Sequence, residues 1–157
     1  MNMELKEIRL KNKLTQKEAS EILNISRRSY QTYEKGVSIN KDKYSFLCEK
    51  LDKMFLIDEE HGILTIDEIK IGVAAILNKY DVKACYLFGS YAKNKANEKS
   101  DIDLLIDSSV TGLNFFGLVE ELREKLNKKI DLLNKDQILN NPELLSEILK
   151  DGIKIYG

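Results

Sequence analysis

The sequence predicts an α+β protein in which an all-helical N-terminal domain is followed by a small α/β domain. Residues 5–53 place apolar side chains at i, i+3 and i+4, the spacing of amphipathic helices. From residue 65 onward, helical patterns alternate with short apolar runs typical of strands. Residues 54–64 have neither period and are partly polar. We therefore predict domains at 1–53 and 65–157, joined by a linker at 54–64.

Length and composition exclude several classes of protein. The chain has 157 residues, of which 43% are hydrophobic and 32% charged, values near those of globular proteins and far from disordered or fibrous ones. It contains no run of about 18 to 20 apolar residues, and its first residues lack the apolar core of a signal peptide. We expect a cytoplasmic protein without a membrane segment.

The spacing of the two cysteines and the single histidine does not indicate a metal site. Cys48 and Cys85 lie far apart in apolar contexts, with no second Cys or His at ligand spacing. Neither a disulfide framework nor a zinc site is indicated, and we expect both thiols in the core. His61 stands in a polar stretch and is expected to face solvent.

Charge is distributed unevenly along the chain. Residues 1–53 hold 12 basic and 8 acidic side chains, a net charge of +4, whereas residues 54–157 hold 13 and 18, a net charge of −5. The N-terminal part can approach phosphates, and the acidic part needs a metal or a local basic patch to do so. A solvated charged face explains the asymmetry equally well.

Local signals delimit the helices of the first half. Thr15 and Glu18 have the spacing of a capping box, which predicts the start of the second helix. Ser26 is the expected N-cap of the third helix, and Gly36 supplies the left-handed residue that ends it. A fourth helix follows, with Tyr44 and Leu47 on its apolar face.

The second half opens with another capping box, Thr65 to Glu68, and an amphipathic helix. An apolar run at 84–88 and an alternating run at 102–106 predict two strands. Helix, strand, helix and strand patterns follow up to residue 156, so a small sheet with helices packed against it is expected.

The informative motif spans the end of the first strand and the start of the second. Gly89-Ser90 lies where a strand gives way to a short helix, a place where backbone N–H groups and a hydroxyl can hold phosphate oxygens. Asp101 and Asp103 are two apart, so on a strand they share one face. Asp131 lies on the following strand and would flank them if that strand is their neighbour. Three such carboxylates can hold magnesium and activate a hydroxyl.

Each part of this motif has a plain alternative. A polar strand face is commonly only hydrated, and Gly-Ser is a frequent turn. The combination of Gly-Ser with Asp-x-Asp after ten intervening residues, in the right structural context, arises by chance in roughly a few chains per thousand of this length. We therefore favour the functional interpretation.

From about Thr65 to Gly157, the chain resembles the minimal nucleotidyltransferases, a branch of the DNA polymerase beta superfamily, on the motif just described. The resemblance implies a polymerase-beta-like palm with a mixed sheet. It implies catalysis and metal binding by Asp101, Asp103 and Asp131, and phosphate contacts from Gly89 and Ser90, with Mg²⁺ as cofactor and a nucleoside triphosphate as substrate. Where many members have Arg-Gly, this chain has Lys93-Asn94, so a lysine point charge replaces a bidentate arginine at the nucleotide.

Residues from about Leu5 to Leu51 resemble the helix-turn-helix of the phage-repressor (XRE) class, on Leu14 to Ala19 and Tyr33 to Gly36. The resemblance implies that the third helix enters the major groove of DNA and that Gln16 lies near a phosphate. The implied DNA-binding residues of the third helix are Arg27, Arg28, Ser29, Gln31 and Thr32. A helical interaction domain of the same fold is the alternative.

Together the two resemblances imply an antitoxin. Minimal nucleotidyltransferases are typically encoded beside a HEPN-domain ribonuclease toxin and, in studied pairs, transfer AMP from ATP to a tyrosine of that toxin. The fused helix-turn-helix implies binding to operator DNA for autoregulation, as a dimer on a two-fold site or with the toxin. Two alternatives stay open: a catalytically silent binding antitoxin and repressor, and transfer of a nucleotide to a small molecule.

Overall fold

The computed structural model describes residues 3–36 and 40–157. Its contacts divide the chain into two compact units, Met1–Leu56 and Ile57–Gly157. The division falls inside the stretch that we predict to be the linker. No helix within the described ranges is both long enough and apolar enough to cross a membrane.

The N-terminal unit is formed by helices, as predicted. They are α1 (Leu5–Lys11), α2 (Gln16–Leu23), α3 (Arg27–Lys35) and α4 (Lys41–Met54). The Thr15–Glu18 capping box is present, Ser26 accepts a hydrogen bond from the amide of Ser29, and Gly36 has φ +74° at the end of α3. Local sequence therefore defines the start of α2 and both ends of α3. The buried core of this unit is formed by Leu5, Ile8, Ala19, Leu23, Tyr30, Leu47, Cys48 and Leu51.

A bidentate ion pair between Arg9 and Glu34 joins α1 and α3. Arg9 Nε donates to Glu34 Oε2 at 3.0 Å, and Arg9 Nη2 donates to Glu34 Oε1 at 2.8 Å. The two side chains are only 13% and 7% exposed. Removing one partner of such a pair leaves the other charge desolvated and unpaired, a loss of about 3 to 5 kcal/mol.

We expect an Arg9→Met variant to lower the opening free energy of α1 to α4 by about 3 kcal/mol, because Glu34 keeps its burial and loses its partner. Hydrogen–deuterium exchange of peptides from residues 5–54 should then run about 100-fold faster. The control is Arg123→Met, which removes an exposed pair with Glu59 from the C-terminal unit and should cost less than about 1 kcal/mol. Wild-type exchange rates in Arg9→Met would contradict a stabilising role for the pair.

The C-terminal unit is a sheet with helices on both faces. Its helices are α5 (Ile66–Leu77), α6 (Gly89–Ala92), α7 (Gly112–Leu126), α8 (Lys135–Ile138) and α9 (Pro142–Asp151). Its strands are β1 (Val82–Phe88), β2 (Ile102–Ser108), β3 (Ile130–Asn134) and β4 (Ile153–Tyr156). The strand order is β3-β2-β1-β4. Strand β1 runs antiparallel to β2 and β4, and β2 runs parallel to β3, so the predicted mixed sheet is confirmed.

The alternation along β2 separates the two faces of this sheet. Ile102, Leu104 and Ile106 are buried in the larger core with α5 and α7. Leu105 belongs to a smaller core on the other face, with Ile138 of α8 and Ile148 of α9. Asp103 shares the face of Leu105, because alternate strand residues point the same way. The sequence pattern does not predict α8, a single turn capped by its own preceding residue.

Both cysteines lie in the core and His61 faces solvent, as expected. Cys48 and Cys85 are free, buried thiols, and burial raises the pKa of Cys85 to about 12. The side chain of His61 is 60% exposed, and its Nδ1 lies 2.9 Å from Oδ1 of Asp58.

Candidate active site and nucleic-acid interface

The junction of β1 with the single turn α6 brings a glycine against a carboxylate. Gly89 follows β1 directly and has φ +69°, a conformation that L side chains rarely adopt. A Cβ atom built on Gly89 would lie 2.9 Å from Cγ of Asp103 and closer still to its Oδ2. Glycine is therefore required here for two reasons, the backbone angle and the close approach of Asp103.

The three candidate carboxylates lie at neighbouring strand positions. Asp103 on β2 is opposite Asp131 on the parallel strand β3, so the condition under which Asp131 flanks the aspartate pair is met. Asp103 is also opposite Phe88, the last residue of β1. Asp101 precedes β2 by one residue. The sheet thus places Asp103 between β1 and β3, with Gly89 beside it.

Burial and neighbouring negative charges disfavour the ionised form of Asp103, and a bound cation would offset this effect. Burial raises the pKa of Asp103 to about 6, and the negative charges of Asp131, Asp101 and Glu147 add to the increase. A carboxyl group near other carboxylates takes up a proton unless a positive charge compensates, and oxygen ligands of this kind suit Mg²⁺. The donor set therefore fits a divalent metal. Nevertheless, no three His, Cys, Asp or Glu side chains in residues 3–36 and 40–157 converge into a complete ligand cluster.

Gly89→Ala should disrupt this cluster, because the new methyl group would displace Asp103. We expect the nucleotide transfer that the resemblance implies to fall by at least about 100-fold, since misplacement of a reacting group by about 1 Å has an effect of that size. Initial rates of pyrophosphate release measure the loss. The matched control is Gly112→Ala, which has φ +62° but no atom within 4 Å of the added carbon. Gly112→Ala introduces similar backbone strain without a new contact. Equal losses of transfer in the two variants would therefore show that contact with Asp103 is unimportant.

Two side chains of the predicted phosphate loop have different surroundings. Ser90 is partly buried in α6, and its carbonyl accepts a hydrogen bond from the amide of Lys95 at 2.9 Å. The Lys93 ammonium pairs with Glu147 of α9 at 2.6 Å, and this pairing raises the pKa of Lys93. Sequence reasoning missed Glu147, because it lies 54 residues beyond Lys93 and only the fold brings them together. A nucleotide phosphate would have to share Lys93 with this carboxylate.

The predicted DNA-reading residues lie on α3 and at the start of α2. Arg27 and Arg28, in the first turn of α3, are exposed. Gln31 Nε2 donates to Gln16 Oε1 at 3.1 Å, so the amide predicted near a phosphate supports the side chain predicted near the bases. This hydrogen bond restrains the orientation of the Gln31 side chain.

The two remaining candidates on α3 bond within the helix. The hydroxyl of Thr32 donates to the carbonyl of Arg28 at 3.0 Å, and the hydroxyl of Ser26 donates to that of Ser29 at 2.9 Å. Both Ser29 and Thr32 are exposed. Their oxygens retain lone pairs that can accept a further hydrogen bond.

Comparison with known proteins finds a family model that matches each unit. A family model described as "Polymerase beta, Nucleotidyltransferase" matches residues 72–157, and a model described as "Helix-turn-helix" matches residues 5–53. A Methanocaldococcus jannaschii protein, provisionally named a protein adenylyltransferase, is 37% identical over 94 residues, which are 59% of this chain and 99% of that protein. Protein adenylyltransferase MntA of Thermococcus cleftensis is 32% identical over 83 residues, 49% of this chain and 84% of that protein. A chain in a toxin–antitoxin crystal structure with AMP-PNP aligns at 21% identity and a TM-score of 0.47, covering 56% of this chain and 73% of that one.

Proposed function

Because the chain belongs to the polymerase beta nucleotidyltransferase family and carries a helix-turn-helix domain, we propose that it is an antitoxin that transfers AMP from ATP to a tyrosine of a HEPN-domain ribonuclease. Enzymes of this family transfer nucleotides with the help of a divalent metal. The observation that carries the proposal is the half-buried Asp103, which has Gly89 against it and lies opposite Asp131.

Different residues of the site would bind the metal and the triphosphate. Asp101, Asp103 and Asp131 would hold Mg²⁺, which supplies charge neutralisation at the phosphates and the acceptor oxygen. Backbone N–H groups at Gly89-Ser90 and the Lys93 ammonium would hold the triphosphate, because they can donate to phosphate oxygens.

The transfer itself is an in-line displacement at the α-phosphorus of ATP. Asp131 would accept the proton of the tyrosine hydroxyl as the oxygen forms its bond to phosphorus. The bond between the α-phosphorus and its bridging oxygen breaks, and pyrophosphate leaves with the electron pair. Asp131 is suited to this role since it is exposed at the edge of the carboxylate cluster and can meet an incoming side chain.

A protein acceptor is supported by the size of the catalytic unit and by its relatives. Residues 57–157 form a small unit of one sheet and its covering helices. The matched relatives of Methanocaldococcus and Thermococcus carry the name protein adenylyltransferase. A tyrosine brought in by a partner protein would meet the exposed Asp131.

Intact-mass spectrometry of the neighbouring gene product tests this proposal. The product is incubated with ATP, Mg²⁺ and either this chain or its Asp101→Ala variant, and a partner with its acceptor tyrosine replaced by phenylalanine serves as a second control. AMP-sized increments with the unaltered chain alone would support transfer to tyrosine. Tight binding without any increment would favour the silent binding antitoxin, and pyrophosphate release that needs a small hydroxylated acceptor instead would favour the small-molecule enzyme.

The helix-turn-helix unit is proposed to bind operator DNA upstream of its own reading frame, as a dimer on a two-fold site. The exposed Arg27 and Arg28 and the Gln16–Gln31 pair support this role. The same chain would then neutralise a toxin and repress its own synthesis.

A further inference from the structure

Lys128 is a buried charged side chain to which neither the proposed transfer nor DNA binding assigns a role. It has no exposed surface, although it lies in the short connection between α7 and β3. Desolvation lowers its pKa, while Asp58, Glu98 and Glu60 act to raise it. Burying an ammonium group is costly unless its donors are satisfied. The groups around the Lys128 ammonium should therefore indicate why this charge is buried.

The ammonium of Lys128 joins two distant segments through their backbones. Nζ donates to the carbonyl of Glu98 at 2.6 Å and to the carbonyl of His61 at 3.1 Å. Within the described parts of the chain, no carboxylate forms an ion pair with it, so backbone oxygens are its partners. The group thus fixes the path of the main chain at two points.

Other contacts reinforce the same junction between the two segments. The amide of Gly62 donates to Glu98 Oε1 at 3.3 Å, and Lys99 pairs with Glu60 at 3.3 Å. These two contacts are exposed and therefore weak. Lys128 is the buried element of the junction.

The segment held by Lys128 leads directly into the carboxylate cluster. Residues 97–100 form a tight turn, in which the amide of Asn97 donates to Ser100 Oγ at 2.8 Å. Asp101 follows, and the amide of Ile102 then donates to the carbonyl of Lys129 at 2.9 Å. The turn before Asp101 is therefore bound to the α7–β3 connection by the side chain of Lys128. The residue after Asp101 is bound to the same connection by the carbonyl of Lys129.

We propose that Lys128 is a positioning residue for the proposed transfer site: its buried ammonium fixes the turn at 97–100, and the turn sets the place of Asp101 beside Asp103. Lys128 does not touch the nucleotide. It acts through Asp101, so its loss changes how the carboxylates hold a metal. This inference rests on the proposed function, since it assumes that Asp101 and Asp103 are metal ligands.

The test compares Lys128→Met with Lys125→Met, an exposed lysine one turn earlier, as the matched control. Mn²⁺ affinity is measured from the electron paramagnetic resonance signal of the free ion, and pyrophosphate release gives kcat and KM for ATP. We expect Lys128→Met to bind Mn²⁺ about 10-fold more weakly and to lose about 30-fold in kcat, with KM changed less than about threefold. Lys125→Met should match the wild type.

A merely structural role for Lys128 would give a different result. In an Asp101→Ala background, Lys128→Met should cause no further loss of Mn²⁺ affinity, because the residue through which it acts is gone. Unchanged Mn²⁺ affinity in folded Lys128→Met, or full additivity with Asp101→Ala, would overturn the proposal. If Lys128→Met does not fold, Lys128→Gln replaces it, because the glutamine side chain is one atom shorter than lysine and carries no charge, and unchanged Mn²⁺ affinity in folded Lys128→Gln would overturn the proposal.

The Mn²⁺ measurement also separates this inference from the proposed function. A wild-type protein that binds Mn²⁺ through Asp101 and Asp103 but transfers no AMP would refute the transfer reaction and leave the role of Lys128 testable. Equal Mn²⁺ affinities of the wild type and of Asp101→Ala would refute both the proposed transfer and the positioning role of Lys128.

Discussion

An Asp103→Asn variant is expected to lose AMP transfer by at least about 10³-fold and yet, in metal-free buffer above pH 6, to be more stable than the wild type. The loss of transfer follows because the amide is a poor metal ligand, and several kcal/mol of transition-state charge stabilisation depend on the metal. The gain in stability follows because the substitution removes a half-buried charge that lies among other carboxylates.

The pH range of this gain follows from the raised pKa of Asp103. The folded protein binds the proton with a pKa of about 6, whereas the ordinary value is 3.8, so the folded state holds more protons between these values. Folding stability therefore falls as the pH rises from about 4 to about 6, and the penalty is complete above that window. A pKa difference of this size corresponds to about 3 kcal/mol, which solvent screening at a half-buried group reduces to about 1 to 2 kcal/mol.

Differential scanning calorimetry at pH 4 and pH 7.5, with and without Mg²⁺, measures this effect. The transition of the catalytic unit is identified as the one that Mg²⁺ shifts in the wild type. At pH 7.5 without metal, Asp103→Asn should melt about 5 to 9 °C higher than the wild type, and the two should nearly coincide at pH 4. Mg²⁺ should raise the melting temperature of the wild type and leave Asp103→Asn unchanged.

Asp107→Asn is the matched control for this prediction. Asp107 lies on the same strand and face as Asp103, but it is paired with Lys135 at 2.7 Å. Its replacement removes a favourable contact, so the variant should be equal to or slightly less stable than the wild type, with normal transfer. A destabilised Asp103→Asn at pH 7.5 would show that its charge is compensated within the protein and would remove the main electrostatic argument for a metal.

Local chemistry explains why so much of this fold is predictable from sequence. The capping boxes at Thr15 and Thr65 and the left-handed residue at Gly36 act within a few residues, so the helix ends that they define could be inferred without tertiary information. The alternation of β2 likewise shows which side chains share the face of Asp103. The Gly-Ser to Asp-x-Asp spacing indicated the carboxylate cluster because its parts are close along the chain.

The features that sequence did not reveal depend on long-range packing. Glu147 reaches Lys93 and influences Asp103 only because α9 packs on the same sheet face, and an isolated glutamate on a helix carries no such signal. Lys128 is one of many lysines, and its burial follows from the docking of two distant segments on the α7–β3 connection. These contacts form only when distant segments of the chain pack together, so composition and periodicity do not reveal them.

Simultaneous replacement of Arg27 and Arg28 by alanine should weaken binding to the upstream operator by about 100-fold or more. Both side chains are exposed in the first turn of α3, the part of a recognition helix that meets base edges and phosphates. Each arginine contact to DNA contributes about 1 to 3 kcal/mol. If both contact phosphates, the dependence of log K on log salt should also become shallower by about 2.

The change in salt dependence distinguishes the two kinds of contact. A lower affinity with an unchanged slope would place the arginines on bases, and discrimination between operator and random DNA should then fall as well. The matched control is Lys50→Ala with Lys53→Ala, which removes the same charge near the end of α4 and should change affinity less than about threefold. Fluorescence anisotropy with operator and random duplexes at several salt concentrations measures both quantities. Equal, small losses in the two double variants would mean that α3 has no special role, and the N-terminal unit would then be an interaction domain of the same fold.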